Sequence, residues 1–446
     1  MADRPDTRLH LGETFPPVTT AAWEAQIHRD LKGADYQKRL VSKTDEGIAI
    51  RPYYRAGDIT ARPPIANAAG TWTLALPGHE PDLHASAIEA HEQGATATQE
   101  VAFALAQGAD RLAAGLPVET LGFAIGSNHF MEIAKLRAAR LLWAGVAGAF
   151  GAGGAVRVHA RTAGENKTRF DAPVNLLRVT TEALSAVLGG CDSLTIAPCG
   201  FDAHLAENVQ HILREESHLD QVIDPAAGSY CLEALTEAVA AEAWALFQQI
   251  ERDGGWAASV ASGAIDAALA SAREAKEKAV ATRRRVLVGT NNYPNLSERS
   301  TDGGWLTEAG WRLARPFEAI RLRTERHAAK LGRAPRVLLI ERGDAKMRAA
   351  RASFCLNLFG CAGFEIVSAE TPGDADLVIL CSADAEYLDI ARDVVPRVAA
   401  PVVVAGNPKG QVDALRAAGV AGFVHAGSNA VETLREWQDR LGMETL

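Results

Sequence analysis

A chain of 446 residues with 48% hydrophobic content carries enough apolar material for substantial cores, and its length favours two or three domains over one. Its formal net charge of −9 leaves no basic excess to release counterions from a phosphate backbone or an anionic lipid surface, which excludes nucleic acid and membrane as expected partners. Asp3, Arg4, Asp6 and Arg8 leave no room for an apolar signal core in residues 1–12, and the uncharged stretch 141–156 is shorter than a membrane span and broken by glycines, so a soluble, cytoplasmic protein is expected.

In chain order, residues 1–60 read as a docking arm, with a helix over 21–31 and a short extended piece over 47–52; they lack the apolar content for a core of their own. Residues 61–255 alternate short β-type runs (71–76, 121–125, 155–159, 193–197) with long helical ones (95–114, 128–147, 175–188, 204–217, 233–252). Such alternation predicts βα units on a parallel sheet, about four strands, half of an eight-stranded TIM-type barrel. Residues 256–335 are charged and helical around Arg283-Arg284-Arg285 and the turn 291–295, a linker between two domains.

The last stretch, 336–446, shows the cleanest pattern: strands over 336–340, 365–368, 377–381, 401–405 and 422–425, with helices over 345–359, 385–398, 411–418 and 429–441 between them. Continuous apolar strands separated by amphipathic helices predict a doubly wound, flavodoxin-like α/β domain buried on both faces. The six cysteines (Cys191, Cys199, Cys231, Cys355, Cys361, Cys381) form no C-x-x-C and several sit in apolar runs, which reads as buried thiols.

Few constellations carry chemistry. Gly151-Ala152-Gly153-Gly154 follows a helix and precedes a strand, the reverse of a phosphate loop, so it reads as a helix stop. His204, Glu207 and His211 share one helical face but have no further ligand motif nearby, and no metal site is assigned. Asp224 to Tyr230 is a tight turn before a helix. The loop Glu341-Arg342-Gly343-Asp344 lies at the carboxyl edge of the last domain's first strand, where open α/β sheets bind ligands; no histidine occurs between His327 and His425 to ligate a metal there.

Several ordered segments resemble the methylmalonyl-CoA mutase family: Asp30-Leu31-Lys32-Gly33-Ala34-Asp35 with Thr44, Glu46-Gly47-Ile48 and Arg51-Pro52-Tyr53-Tyr54; the run from Phe130 to Trp143; His159-Ala160-Arg161-Thr162; Asn175 with Arg178; Gly189-Gly190; Asn208-Val209-Gln210 with Glu215-Glu216-Ser217; and Asp224 to Tyr230. The resemblance implies a barrel threaded by coenzyme A and capped by a cobalamin domain, where adenosylcobalamin initiates the interconversion of (R)-methylmalonyl-CoA and succinyl-CoA. It also carries departures. The family's early barrel segment is missing between about Asp58 and Thr71, the position of its barrel histidine falls near Glu89 with His84 and His91 as neighbours, and its D-x-H-x-x-G loop is replaced by the region from Gly343 to Arg348.

Pro198-Cys199-Gly200-Phe201-Asp202 is similar to small-subunit sequences of the family. By this resemblance the chain is expected to be a small, non-catalytic subunit with no catalytic residues of its own and a degenerate cobalamin-binding-type domain. Ser382, Gly406 and Gly427 stand where the family houses the nucleotide tail of cobalamin, a relic pocket, and the chain is expected not to bind the cofactor. Its expected partner is a catalytic large subunit or a second copy, with acyl-CoA met only through the assembly. The alternatives are an active mutase with unusual cobalamin binding and an adaptor or regulatory module.

Overall fold

The computed structural model describes residues 17–60, 65, 70–298 and 311–444; the absence of a signal core read in residues 1–12, and most of the gap read before Thr71, fall outside them. The arm consists of α1 (Thr20–Asp30), started by the Thr19 hydroxyl accepting the Ala22 N–H, α2 (Tyr36–Leu40), and two short antiparallel strands, β1 (Ser42–Lys43) and β2 (Ala49–Ile50). No residue of α1 is buried. The arm is held to the body further on, where Ile48 and Ile50 pack against a cluster containing Met131, Leu235 and Val239.

Next come β3 (Thr73–Ala75), β4 (Ala85–Ser86), α3 (Ile88–Glu92), α4 (Ala97–Ala113), β5 (Thr120–Ile125), α5 (His129–Ala149), β6 (Arg157–Thr162), α6 (Pro173–Leu188), β7 (Ser193–Thr195), α7 (Ala203–His211) and α8 (Tyr230–Arg252). The five strands form one parallel sheet in the order β3-β7-β6-β5-β4. Four strands were expected from the sequence; β4 was missed because two residues are too few for any alternation to show. The strand expected over 155–159 begins at Arg157, past Gly151 to Gly154, and runs on to Thr162, because all six of its residues pair with β5.

Local chemistry explains the helices. Thr96 and Gln99 form a reciprocal capping box at the start of α4, Pro173 opens α6 where its missing N–H costs nothing, and the Ser229 hydroxyl accepts the Leu232 N–H at the start of α8. The helix expected over 204–217 changes to a π-helical turn over Ile212–Glu216.

The linker divides between the two bodies. Helix α9 (Gly255–Ala261) packs on α4 and α8, and α10 (Ala264–Ala281) follows it, whereas α11 (Arg315–Leu331) packs against the chain's last helix. Residues 282–298, inside the stretch expected to be helical, have irregular structure.

The second body runs β8 (Arg336–Glu341), α12 (Ala345–Gly360), β9 (Glu365–Ala369), β10 (Leu377–Cys381), α13 (Tyr387–Val394), β11 (Val402–Ala405), α14 (Val412–Ala417), β12 (Val420–Val424) and α15 (Ala430–Arg440). Its five strands are parallel in the order β9-β8-β10-β11-β12. Alternate residues feed two cores, Val337, Leu339, Ile379 and Val403 on one face and Leu338, Ile340, Val378 and Val404 on the other, so the strands read as unbroken apolar runs. The fold is therefore α/β with two parallel sheets. All six cysteines are free thiols; Cys231 is half-buried and the other five are buried.

Candidate functional site at the carboxyl ends of the sheets

In the second sheet the direction of winding reverses between β8 and β10, and the crevice beyond their carboxyl ends is where such folds receive ligands. Here a half-buried side chain of the protein bridges its two lips. The Glu386 carboxylate accepts hydrogen bonds from the Ser382 hydroxyl, from the Ala383 N–H at 3.2 Å and from the Asp344 N–H at 3.1 Å, so it ties the two lips together. Gly343, in the left-handed region at φ +76°, lies so close that a Cβ on it would sit 2.0 Å from Glu386 Oε2. Hydrogen bonding to Ser382 and to the two backbone N–H groups holds Glu386 below the usual carboxylate range.

Of the three residues expected to line a relic pocket, Ser382 and Gly406 come together through Tyr387. The fully buried Tyr387 hydroxyl donates to the Ala405 carbonyl at 2.5 Å and accepts the Ser382 N–H at 3.3 Å, while its ring lies 3.2 Å from where a Cβ on Gly406 would be. Gly427 packs instead on His425 of its own loop, beyond β12 at the edge of the sheet. His425 is three strands from β8, about 14 Å at ordinary strand spacing, so it is far from the mouth of the crevice. The donor set at that mouth, Arg342, Gly343 and Asp344, offers no imidazole. Between the two lips of this crevice stand Glu386 and Tyr387, and no imidazole.

A second constellation lies at the carboxyl ends of β5 and β6, the end at which parallel α/β sheets place their ligands. His91 Nδ1 is 2.7 Å from Glu100, and Lys135 bridges Glu100 at 2.9 Å and Glu132 at 2.5 Å. Glu165 meets Lys276 at 3.0 Å and Arg285 at 3.4 Å, and stands 3.8 Å from His91 Nε2. Except for Arg285 these side chains are buried. Gly126 makes room, since a Cβ there would meet the His91 ring and Glu132 at 3.2 Å.

Electrostatics follow from this mutual pairing. Burial alone would push the Glu165 carboxyl up, but Lys276, His91 and Arg285 together hold it down at about 2. Burial would likewise lower His91, yet Glu100 and then Glu165 overcome it and keep the imidazole above its ordinary value. The cavity among these groups measures about 40 Å³. That suits one or two waters and no organic substrate. The arm closes over it: Glu46 accepts the Ala97 N–H at 2.9 Å and Asp45 lies 3.3 Å from Arg285.

The methylmalonyl-CoA mutase family model matches residues 43–336, which spans both the first sheet and this charge cluster. The chain belongs to the methylmalonyl-CoA mutase family. It is 39% identical over 412 residues to the methylmalonyl-CoA mutase small subunit of Porphyromonas gingivalis, covering 81% of this chain and 66% of that one. It is 36% identical over 410 residues to the methylmalonyl-CoA mutase small subunit of Streptomyces virginiae, covering 81% of this chain and 65% of the other. The likeness to the methylmalonyl-CoA mutase of Escherichia coli K12 is 37% over 233 residues, 47% of this chain and 33% of that enzyme. The chain thus spans slightly less than two thirds of the length of these small-subunit relatives.

Within this member of the mutase family, Glu89 is exposed, whereas its neighbour His91 belongs to the buried cluster and His84 accepts the Glu119 N–H at 3.4 Å. His204 bonds Asn208 on an exposed face, and among the described residues no group of three His, Cys, Asp or Glu side chains is placed to hold a metal. The turn from Asp224 holds more than its composition suggested: Asp224 and Glu233 both pair with Arg137, and all three are buried. Sequence reasoning touched the charge cluster only at His91 and missed its other members. Its only local signal was a carboxylate or an amine in the middle of an apolar helix, Glu100 in α4 and Lys135 in α5.

Proposed function

We propose that this chain is a small, non-catalytic subunit of a cobalamin-dependent methylmalonyl-CoA mutase assembly, in which it stabilises a catalytic large subunit. The assembly would interconvert methylmalonyl-CoA and succinyl-CoA, adenosylcobalamin would be held by the partner, and this chain would meet acyl-CoA only through it. The observation that carries the reading is the Glu386 carboxylate in the crevice of the second sheet, pinned by donors from both lips. On this reading the Glu386 side chain takes up space that a corrinoid tail would need.

The domain reading that goes with it is an arm over 1–60, a partial TIM-type barrel over 61–255, a helical linker over 256–335 and a flavodoxin-like, degenerate cobalamin-binding-type domain over 336–446, in a cytoplasmic protein. Two strand orders support it. In the first sheet, β4 to β7 are neighbours in sequence order while β3, the earliest, pairs with β7, the last, as the first and last strands of a closed barrel do. In the second, β9-β8-β10-β11-β12 is the 2-1-3-4-5 order of flavodoxin-like sheets.

Two measurements test the proposal. Copurification of the tagged chain from its native source should bring down a mutase catalytic chain in stoichiometric amount; a chain that emerges alone and monomeric removes the subunit reading. Incubation with hydroxocobalamin followed by desalting should leave no corrin absorbance on the protein. A retained spectrum would restore the reading of an active mutase with unusual cobalamin binding.

A further inference from the structure

Half a barrel standing alone would turn apolar interior side chains toward water, a state that folded proteins avoid. The first sheet differs. Register places Ser86, Gly122, His159, Ser193 and Thr73 in one lateral row and Ala124, Arg161, Thr195 and Ala75 in the next, so the inner face is polar and small. The opposite face, with Leu121, Phe123, Val158, Ala160 and Leu194, is the one packed by helices.

The chain itself covers part of the inner face, around His159 and Gly122, while Thr73 and Arg161 on the same face stay exposed. Residues 76–84 connect β3 at one edge of the sheet to β4 at the other, four strand spacings away. Nine residues reach at most about 30 Å and the spacings sum to about 19 Å, so the connection is long enough to span the sheet from edge to edge with little to spare. Leu83 lies against Gly122, with its Cδ1 2.7 Å from where a Cβ would be, and Glu80 is near enough to act on the charge of His159.

This cover is poorly satisfied. His159 Nε2, Thr120 Oγ1 and Thr195 Oγ1 all lie on the covered face, all are at most 1% exposed, and none has a hydrogen-bond partner among the described residues. The other imidazole nitrogen, Nδ1, is engaged by Ser193 Oγ at 2.8 Å. Orphaned polar atoms raise the free energy of the closed state, whereas His159 and Thr120, which Glu80 and His84 of the connection approach, would be hydrogen-bonded if open to water. Few backbone bonds resist opening: within the connection, His79 N–H reaches Leu76 O, Gly78 N–H reaches Glu80, and His84 N–H reaches Thr120 O in the sheet.

We propose that residues 76–84 are a strap that opens as a unit while the rest of the first sheet stays folded, presenting the polar face and both sheet edges to a partner chain. The purpose rests on the subunit reading above; the motion does not, and is tested on the isolated chain. Burial pushes His159 down to about 4, with Glu80 on the strap opposing this and Arg161 on the same strand adding to it. Opening returns the imidazole toward its ordinary 6.5, so acid favours the open form between those two values.

Hydrogen exchange read by mass spectrometry, corrected for intrinsic chemistry, gives the test. Peptides over 76–87 should exchange at least about tenfold faster than peptides over 120–125 and 157–162 at neutral pH, and the ratio should grow by up to about tenfold for each pH unit below 6.5. His159→Asn should abolish that growth, and Leu83→Gly should raise the ratio at every pH. Strap peptides that exchange only as slowly as the central strands, at all pH values and in both variants, overturn the proposal. Strap opening without copurification of a catalytic chain would leave the motion standing and remove its purpose.

Discussion

Lys276 Nζ lies 3.0 Å from Glu165 Oε2, the two side chains being 5% and 1% exposed, and this contact joins the linker helix α10 to the carboxyl end of β6 across 111 residues of sequence. Lys276 also donates to the Ala95 carbonyl at 2.9 Å, so one ammonium ties together three segments of the fold. Around it, helices α3, α4 and α5, the arm and Arg285 meet in a single network of opposite charges.

Removing one partner of such a pair strands the other charge. Lys276→Met should lower stability by about 3–5 kcal/mol in urea unfolding, whereas the double variant Lys276→Met with Glu165→Leu should recover a large part of it. Equal loss in the single and double variants would show that the cluster's value is packing and not charge.

The same cluster sets a pH window at each end. Glu165 is depressed to about 2, so its contribution is present above the ordinary carboxylate value of 4.5 and is lost as pH falls from there toward 2, at most about 3 kcal/mol. His91 is raised, so its contribution is complete below 6.5 and fades as pH climbs through its folded value. Unfolding free energy measured against pH should show both flanks. Glu165→Gln should flatten the acid one, and His91→Gln the alkaline one.

Gly343 and Glu386 should behave as a coupled pair. Gly343→Ala forces a Cβ against the carboxylate at a positive φ, and is expected to cost about 1–3 kcal/mol. Glu386→Ala removes the carboxylate from the clash but leaves the Ser382 hydroxyl beside the new Cβ and the backbone strain unrelieved, so a double-mutant cycle should return only a partial recovery, a favourable coupling of about 0.5–3 kcal/mol. Additive effects would mean that Glu386 leaves the crevice in solution.

Of three consecutive arginines in the linker, two are docked and one is not. Arg283 stacks on Phe354 at 5.2 Å and donates to Asn292, Arg285 reaches Asp45 and Glu165 on the first body, and Arg284 is exposed. Limited proteolysis should therefore cut the 282–298 region faster in Arg283→Ala and Arg285→Ala, and at the wild-type rate in Arg284→Ala.

Capping chemistry predicts a smaller effect. Thr96→Ala removes one half of the box at the start of α4 and should cost about 1 kcal/mol by thermal unfolding, with Gln99→Ala costing less.

Much of the second sheet was legible in the residues alone. Runs such as Leu377–Cys381 and Val402–Ala405 are apolar throughout because both faces are covered, and helices such as α15 begin at a side chain, Asn429, that caps its own backbone. Those signals act within a few residues of one another, and so did the motifs that marked the family. Tertiary structure alone decided the rest: that Glu386 bridges the lips of the crevice, that His91 and Lys276 serve one buried network, and that nine residues after β3 lie across a polar sheet face. Each depends on charges or backbones brought together from distant parts of the chain, and no hydrophobic period records which distant partner a buried charge will meet.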